Sequence, residues 1–377
     1  MPKQDTPSAP KFAGRGGVLD GLRFLAAFSI LLYHYGGEAP LPLDQLHPVF
    51  LRGFLATDFF LMLSGYVLAR AYGASLASGA VGPVSFLTRR MTRVWPGHLV
   101  VLSGMAAIAL TASMLGIEAG HPAHFFWPQL PAQALLIQAW GDFGGDGWNL
   151  PTWSLSALFF CYALMPILWR AILRIRPAWA PFLLGLAGLL LSDAACRAWL
   201  GRPLYDLPFN MGAFRAVPLF LLGAATARLA EASPLTPKLS RFVLICSALA
   251  FVGIQVLGRY DFPSILCIAL ILAAAGSQPV AKPRKILEAG AQLSFAIFIT
   301  HVLTATVWFG AVHKIERLDD PHSMTQWLLW SAGILLAFAA AFAFDRLIDQ
   351  PLQKLLRPAR SKARPALGLA PAPTSAS

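Results

Sequence analysis

LDGLRFLAAFSILLYHYG, residues 19–36, is the stretch that indicates the fold class of this chain most directly. It is almost wholly apolar and approaches the ~20 residues that a helix needs to cross a bilayer. A polar, basic segment precedes it and no small-residue cleavage site follows it, so it differs from a secretory signal peptide. We therefore predict a retained transmembrane helix at this position.

Nine further segments of similar length and apolar character follow the first one. They are residues 53–72, 96–116, 153–170, 179–198, 213–230, 240–258, 262–278, 289–312 and 326–348. The chain of 377 residues is 56% hydrophobic and only 13% charged, whereas soluble domains carry about 25% charged residues. This composition excludes a soluble protein, and we predict an all-α, polytopic transmembrane helical bundle of about ten spans.

The basic residues are concentrated in every second loop of this arrangement. The net charge is +12, from 30 Lys and Arg against 18 Asp and Glu, and basic loops face the cytoplasm under the positive-inside rule. We therefore predict that both termini are cytoplasmic. Basic residues between apolar segments contact lipid headgroups, so membrane lipids are expected partners and nucleic acid is not.

The same pattern divides the chain into three parts. We assign residues 1–17 to a cytoplasmic N-terminal tail, 18–351 to the transmembrane domain and 352–377 to a disordered, basic cytoplasmic tail.

Residues 121–151 interrupt the pattern, because they are rich in aromatic residues and contain four prolines. Counting them as a span would place the basic loops on alternating sides. We predict an outer, interfacial or re-entrant segment instead.

Ionisable side chains inside the spans are candidates for function, because they are costly there. In the first span Arg23 and His34 are 11 residues apart, which places them on almost the same helix face with an axial separation of ~16 Å. For either residue alone, a functional role and a structural one (snorkelling of Arg23, a packed interface at His34) are equally good explanations. For the aligned pair we favour a functional role. For His301, in the ninth span, a functional role and a satisfied interhelical hydrogen bond are equally good explanations.

The second span contains Asp58 in the run ATDFFLMLSGY. An aspartate at that depth needs a partner, and a basic residue on a neighbouring helix is the expected one. A structural ion pair and a role in orienting a catalytic group are both open interpretations. Ser64, followed by Gly65, is also explained by close helix packing.

Arg89, Arg90 and Arg93 lie just before Pro96 in FLTRRMTRVWP. Arg90 and Arg93 share a face if this stretch is helical. A positive-inside anchor is the simpler explanation, although guanidinium groups beside a polar cavity also suit phosphate. The four cysteines have no CxxC spacing, so neither a metal site nor a disulfide framework is expected.

Taken together, six segments resemble motifs of the bacterial membrane acyltransferase family 3, which transfers acyl groups to carbohydrates and related acceptors. They are LDGLRFLAAFSILLYH, DFFLMLSGY, RRMTRVWP, TWSLSALFFCYALMP, LSFAIFITH and FDRLIDQP, in that order. Two positions depart from the family pattern. Leu158 stands where a glutamate usually follows the Trp-Ser-Leu-Ser motif, and Asp349 stands where glutamate is commoner.

The resemblance implies a multi-pass O-acyltransferase of the bacterial inner (plasma) membrane. Such an enzyme moves an acyl group, expected to be acetyl, from acyl-CoA to a hydroxyl of a sugar, exported glycan or lipid. Acyl-CoA is then a co-substrate, and no bound cofactor or metal is implied. His34 would be the general base, Arg23 would orient the donor, and Asp58 would fix the imidazole or pair with Arg23. The residues implicated in binding donor or acceptor are Arg89, Arg90, Arg93, Ser64, Trp153 and His301.

Three alternatives remain open. Ser64 could form an acyl-enzyme, although the chain has no Gly-x-Ser-x-Gly elbow. The same charged residues could line the path of a transporter or flippase for a lipid-linked sugar or acyl compound. The third is a catalytically inactive relative, which Leu158 in place of the usual glutamate would explain.

Overall fold

The computed structural model describes residues 17–117, 125–145, 147–258, 262–278 and 283–356. Within these ranges the chain forms helices and loops and no β-strand. Ten helices of at least 16 residues make up the bundle: α1 Val18–Tyr35, α2 Leu55–Ala77, α3 Pro83–Met114, α4 Trp153–Arg174, α5 Ala180–Leu200, α6 Gly212–Ala232, α7 Pro237–Val256, α8 Phe262–Ser277, α9 Lys285–Val312 and α10 Met324–Phe344. The predicted all-α bundle is confirmed.

Nine helices of the described residues are long and apolar enough to cross a membrane, so the chain is a multi-pass membrane protein. Each of the ten predicted segments corresponds to one of the ten helices. Helix α8 is shorter than a typical span: it has 16 residues, or ~24 Å at 1.5 Å per residue. Ten of those residues are buried, so α8 is mainly a core helix packed among its neighbours.

Helices α1 and α9 run parallel. Gly21 lies against Leu287, and the ring of His34 contacts that of His301 about four turns further along both helices. We call the end of the bundle at which α1 begins the first end, and the end at which α1 finishes the second end. The second end also holds the 3₁₀ stretch Pro48–Phe54 that leads into α2.

The closest helix crossing in the bundle is that of α2 with α6. A Cβ atom on Gly65 would lie 2.0 Å from the backbone oxygen of Phe220, and one on Gly223 would lie 2.0 Å from that of Met62. Glycine on both helices therefore lets the two backbones touch, as small residues do in many membrane bundles. The close helix packing that the sequence suggested at Ser64-Gly65 is present at Gly65.

Gly65→Ala is expected to lower the free energy of unfolding by about 1–3 kcal/mol or more, because the added methyl group meets backbone that cannot move aside. Gly310→Ala is the matched control, since a Cβ there meets no atom within 4 Å. Thermal unfolding in detergent measures both variants. Equal melting temperatures for the two would contradict the close α2–α6 approach.

Helix α3 begins earlier than predicted. The span was expected to start at Pro96, but the helix starts at Pro83 and Pro96 lies inside it. A proline in a helix leaves the carbonyl four residues earlier without its usual donor. Here the side-chain amide of Gln353 donates to the carbonyl oxygen of Thr92 at 3.2 Å and to that of Arg93 at 3.0 Å. This replacement lets the arginine-rich stretch continue the helix.

The irregular segment between α3 and α4 enters the bundle. Trp95 Nε1 donates to the carbonyl of Ala134 at 2.7 Å, and the side-chain amide of Asn149 donates to that of Ile299 at 2.9 Å. Trp95 lies 12 residues after the start of α3, or ~18 Å along its axis. Non-helical backbone is tolerated at such depth where protein buries it. Of the three predicted alternatives, this depth supports the re-entrant one.

The predicted tails lie almost entirely outside the described residues. At the C-terminal side, α10 continues into a π-helical turn, Asp345–Asp349, and a short helix, Gln350–Leu355. The first residues of the predicted C-terminal tail therefore belong to a helix.

Candidate active site

A polar cavity of about 360 Å³ lies at the second end of the bundle. Its walls come from α1, from the stretch leading into α2, from the start of α4 and from α6 with the loop before it. The residues that give it chemical character are His34, Thr57, Trp153, Tyr205, Asp206 and Arg215. Two of the predicted site residues, His34 and Trp153, therefore lie on one cavity.

His34 and His301 form a pair beside this cavity. Each lies 16 residues after the first residue of its parallel helix, and their ring centroids are 5.1 Å apart. His301 is fully buried, and its Nδ1 lies 3.0 Å from the carbonyl oxygen of Ile297. Because a carbonyl only accepts, Nδ1 carries the proton, and Nε2 of the neutral ring is an acceptor. No hydrogen-bond partner for Nε2 is present among the described residues.

Hydrogen bonds from side chains to backbone carbonyls join α1 to α9 and to α10. The hydroxyl of Tyr35, next to His34, donates to the carbonyl of His301 at 2.9 Å. Trp330 Nε1 of α10 donates to the carbonyl of Tyr35 at 2.8 Å. Both bonds involve Tyr35, the last residue of α1, so the end of the helix that carries His34 is fixed against α9 and α10.

Asp58 forms a buried ion pair with Arg215 of α6. Its Oδ1 lies 2.7 Å from Nη2 and accepts a hydrogen bond from Nε at 2.9 Å. Arg215 also donates to the carbonyl of Tyr205 at 2.9 Å, and its guanidinium lies 5.4 Å from the ring centre of Trp153. The expected partner on a neighbouring helix is thus present. It is Arg215, where the sequence had suggested Arg23 or the imidazole of His34.

Arg215 is the functional candidate that the sequence analysis missed. It lies in AFRAV, inside an otherwise apolar span. The cost of an ionisable side chain in a membrane helix, which singled out Asp58, applies to it equally. Applied to both residues, the same argument suggests Arg215 as the buried partner of Asp58 from the sequence alone.

Arg23 lies towards the first end and does not line the cavity. Its Nη1 is 3.2 Å from Oδ1 of Asp20, one turn earlier on α1. The 11-residue spacing from His34 predicted this axial separation correctly. The structure therefore does not bring Arg23 and His34 into one site.

The predicted arginine cluster lies towards the first end, and its members differ in environment. Arg89 is exposed. Arg90 donates to the hydroxyl of Tyr72 at 2.7 Å, while its buried Nε finds no acceptor among the described residues. Arg93 donates to both carboxylate oxygens of Asp349 at 3.0 Å. The guanidinium of Arg93 lies over the ring of Phe295, two turns from His301 on α9.

The remaining sequence candidates lie away from the cavity. Ser64 donates its hydroxyl to the carbonyl of Phe60 at 2.8 Å, within its own helix. Leu158, at the position of the family's usual glutamate, is a buried member of the apolar core. In the ranges that the structure covers, no three His, Cys, Asp or Glu side chains cluster as metal ligands do.

Comparison with known proteins gives a consistent result. The profile of a family described as an acyltransferase domain matches residues 17–346. Acyltransferase MdmB of Streptomyces mycarofaciens is 27% identical over 301 residues, which cover 77% of this chain and 70% of that protein. Protein 2 in picA locus of Rhizobium radiobacter is 36% identical over 103 residues, which cover 26% of this chain and 49% of that protein. No solved structure matches significantly.

Proposed function

The chain belongs to the acyltransferase family whose profile spans most of its length, and from this premise we propose that it carries an acyl group from acyl-CoA to a hydroxyl. Acetyl is the proposed acyl group, and a sugar of an exported glycan or lipid is the proposed acceptor. The observation that carries this proposal is the placement of His34 on a polar cavity, in ring contact with a buried histidine.

In the proposed reaction, His34 removes the proton of the acceptor hydroxyl. The hydroxyl oxygen attacks the thioester carbonyl, the carbon–sulfur bond breaks, and the thiolate of CoA leaves and takes up the proton that His34 removed. A neutral imidazole suits this task because its unprotonated ring nitrogen can accept the hydroxyl proton. Arg215, held by Asp58, would bind the acceptor in the cavity as a hydrogen-bond donor.

The donor is proposed to approach from the first end. Arg89 and Arg90 would bind the phosphates of CoA there. The ion pair of Arg93 with Asp349 would lie beside the path of the acyl group from that end to His34. The unpaired Nε of Arg90 supports this role, because a buried donor without an acceptor is costly until a ligand supplies one. We propose that this end faces the cytoplasm of a bacterial cell, since its loops are basic and acyl-CoA is made there.

Arg90→Gln is expected to raise the KM for acyl-CoA about 10- to 100-fold, because one charge-assisted hydrogen bond is worth about 1.5–3 kcal/mol. kcat should change little if the interaction is the same in the ground and transition states. Steady-state kinetics over a range of acetyl-CoA concentrations measure both constants. Tyr72→Phe, which keeps the guanidinium, and Arg317→Gln, on an exposed residue beyond α9, are the controls. An unchanged KM in Arg90→Gln would remove Arg90 from the donor site.

The test of the function is release of CoA and transfer of label from acetyl-labelled acetyl-CoA by the purified protein in nanodiscs. Turnover with a hydroxyl acceptor is the expected result. Several acyl-CoA donors are tried beside acetyl-CoA. Movement of a lipid-linked sugar across sealed vesicles, without thioester cleavage from any donor, would instead support the transporter alternative.

A further inference from the structure

A second cavity, of about 500 Å³, runs along α1 outside the polar one. On α1 it is bounded by Leu22, Leu25, Ser29 and Tyr33, which follow each other at steps of three or four residues and so form one face of the helix, with Ala26 beside them. The opposite wall is α7 and the floor is α8. We call this cavity the α1–α7 groove. On α1 it extends from Leu22 to Tyr33, which are 11 positions apart, or ~16 Å along the helix axis.

The α1–α7 groove is apolar and faces outward. Leu25 and Val252, on its two walls, are 57% and 56% exposed in the isolated chain. The hydroxyl of Ser29 donates to the carbonyl of Leu25 at 2.9 Å and so presents no free donor. In a membrane such a surface contacts hydrocarbon, because no water is available there to solvate it.

The groove joins the polar cavity at the second end. Tyr33 and Gly53 line both, and Tyr33 packs edge-on against the ring of His34 at 5.1 Å. Arg52, the residue before Gly53, also lines the groove. Among the described residues, no carboxylate forms an ion pair with Arg52. The apolar α1–α7 groove therefore leads past the cationic side chain of Arg52 to the polar cavity that contains His34.

We propose that the α1–α7 groove binds the hydrocarbon chain of the acceptor, a single-chain lipid phosphate that enters sideways from the bilayer. Arg52 binds the phosphate, and the hydroxyl-bearing head group extends past Tyr33 into the cavity of His34. The proposal rests on the proposed function for the identity of the ligand as acceptor. The size supports one chain, since a groove of about 500 Å³ is in the range of small-ligand sites.

The order of residues along α1 places the groove and the proposed base, His34, on neighbouring faces of that helix. Tyr33 and His34 are consecutive, so they point about 100° apart on α1. A lipid held along the first face therefore has its head group beside the second. The donor, which is proposed to come from the first end, reaches His34 without passing through the groove.

Photolabelling without acyl-CoA tests the site independently of turnover. The probes are dodecyl phosphate and dodecyl alcohol, each with a diazirine in the chain, and the protein is in nanodiscs of phosphatidylcholine. The phosphate probe is expected to label peptides from 22–33 and 248–255 about tenfold more than the alcohol, the effect of one charge-assisted hydrogen bond. Arg52→Gln should reduce phosphate labelling to the level of the alcohol, and Arg52→Lys should keep most of it.

Three matched variants complete the test. Ala248→Trp fills the groove from α7 and should abolish labelling by both probes, whereas Arg317→Gln should leave it unchanged. His34→Ala should also label normally, so loss of transfer and loss of lipid binding are separate results. Equal labelling by the two probes, or no effect of Arg52→Gln, would overturn the proposal. So would displacement of the probe as phosphatidylglycerol replaces phosphatidylcholine, because bulk two-chain lipid would then be the occupant.

Discussion

His34→Ala is expected to lower kcat for acyl transfer by about 10²–10⁴-fold, the contribution that a positioned general base typically makes. The variant keeps the cavity open and removes only the group that is proposed to accept the hydroxyl proton. Insertion and thermal unfolding in detergent should stay close to wild type, because His34 is only partly buried. The KM for acetyl-CoA should change little, since the donor phosphates are proposed to bind at the first end of the bundle.

His313→Ala provides the control for this experiment. His313 lies at the same end of the bundle, just past α9, where its Nε2 is 3.4 Å from a carboxylate oxygen of Glu38. It should transfer acyl groups at the wild-type rate. Comparable activity in wild type and His34→Ala would exclude His34 as the base. Label trapped on Ser64 in that case would support the acyl-enzyme alternative.

Asp58→Asn is expected to destabilise the protein by about 3–5 kcal/mol, because it leaves the guanidinium of Arg215 buried without its counter-charge. Asp58 is completely buried, and the side chain of Arg215 is 7% exposed. Thermal or detergent-induced unfolding measures the loss. Activity should fall as well, since Arg215 lines the cavity and would no longer be held in place.

An exposed ion pair of the same composition shows what burial contributes. In α5, Arg197 and Asp193 are 2.7 Å apart but are 55% and 32% exposed. Asp193→Asn should therefore cost about 0–1 kcal/mol. The double variant Asp58→Asn/Arg215→Gln should regain part of the lost stability, because no unpaired charge remains buried. Equal losses for Asp58→Asn and Asp193→Asn would show that the buried pair has no special role.

The sequence predicted the helices well, because a membrane span is a local property. Its length and apolar composition can be counted along the chain, and the ten predicted segments match ten helices. The boundaries were less accurate where tertiary contacts act. Pro96 looked like a helix start, yet Gln353, from the far end of the chain, satisfies backbone carbonyls beside it. No local pattern contains that contact.

Sequence by itself determined the family, the class of fold and the depth of each ionisable residue on its own helix. Spacing along α1 was sufficient to separate Arg23 from His34, because helix rise is constant. Only the tertiary structure decided which residues meet. His34 on α1 reaches His301 on α9, and Asp58 reaches Arg215 across 157 positions of the chain. Such pairs depend on which helices pack side by side, and apolar spans of similar composition do not specify their neighbours individually.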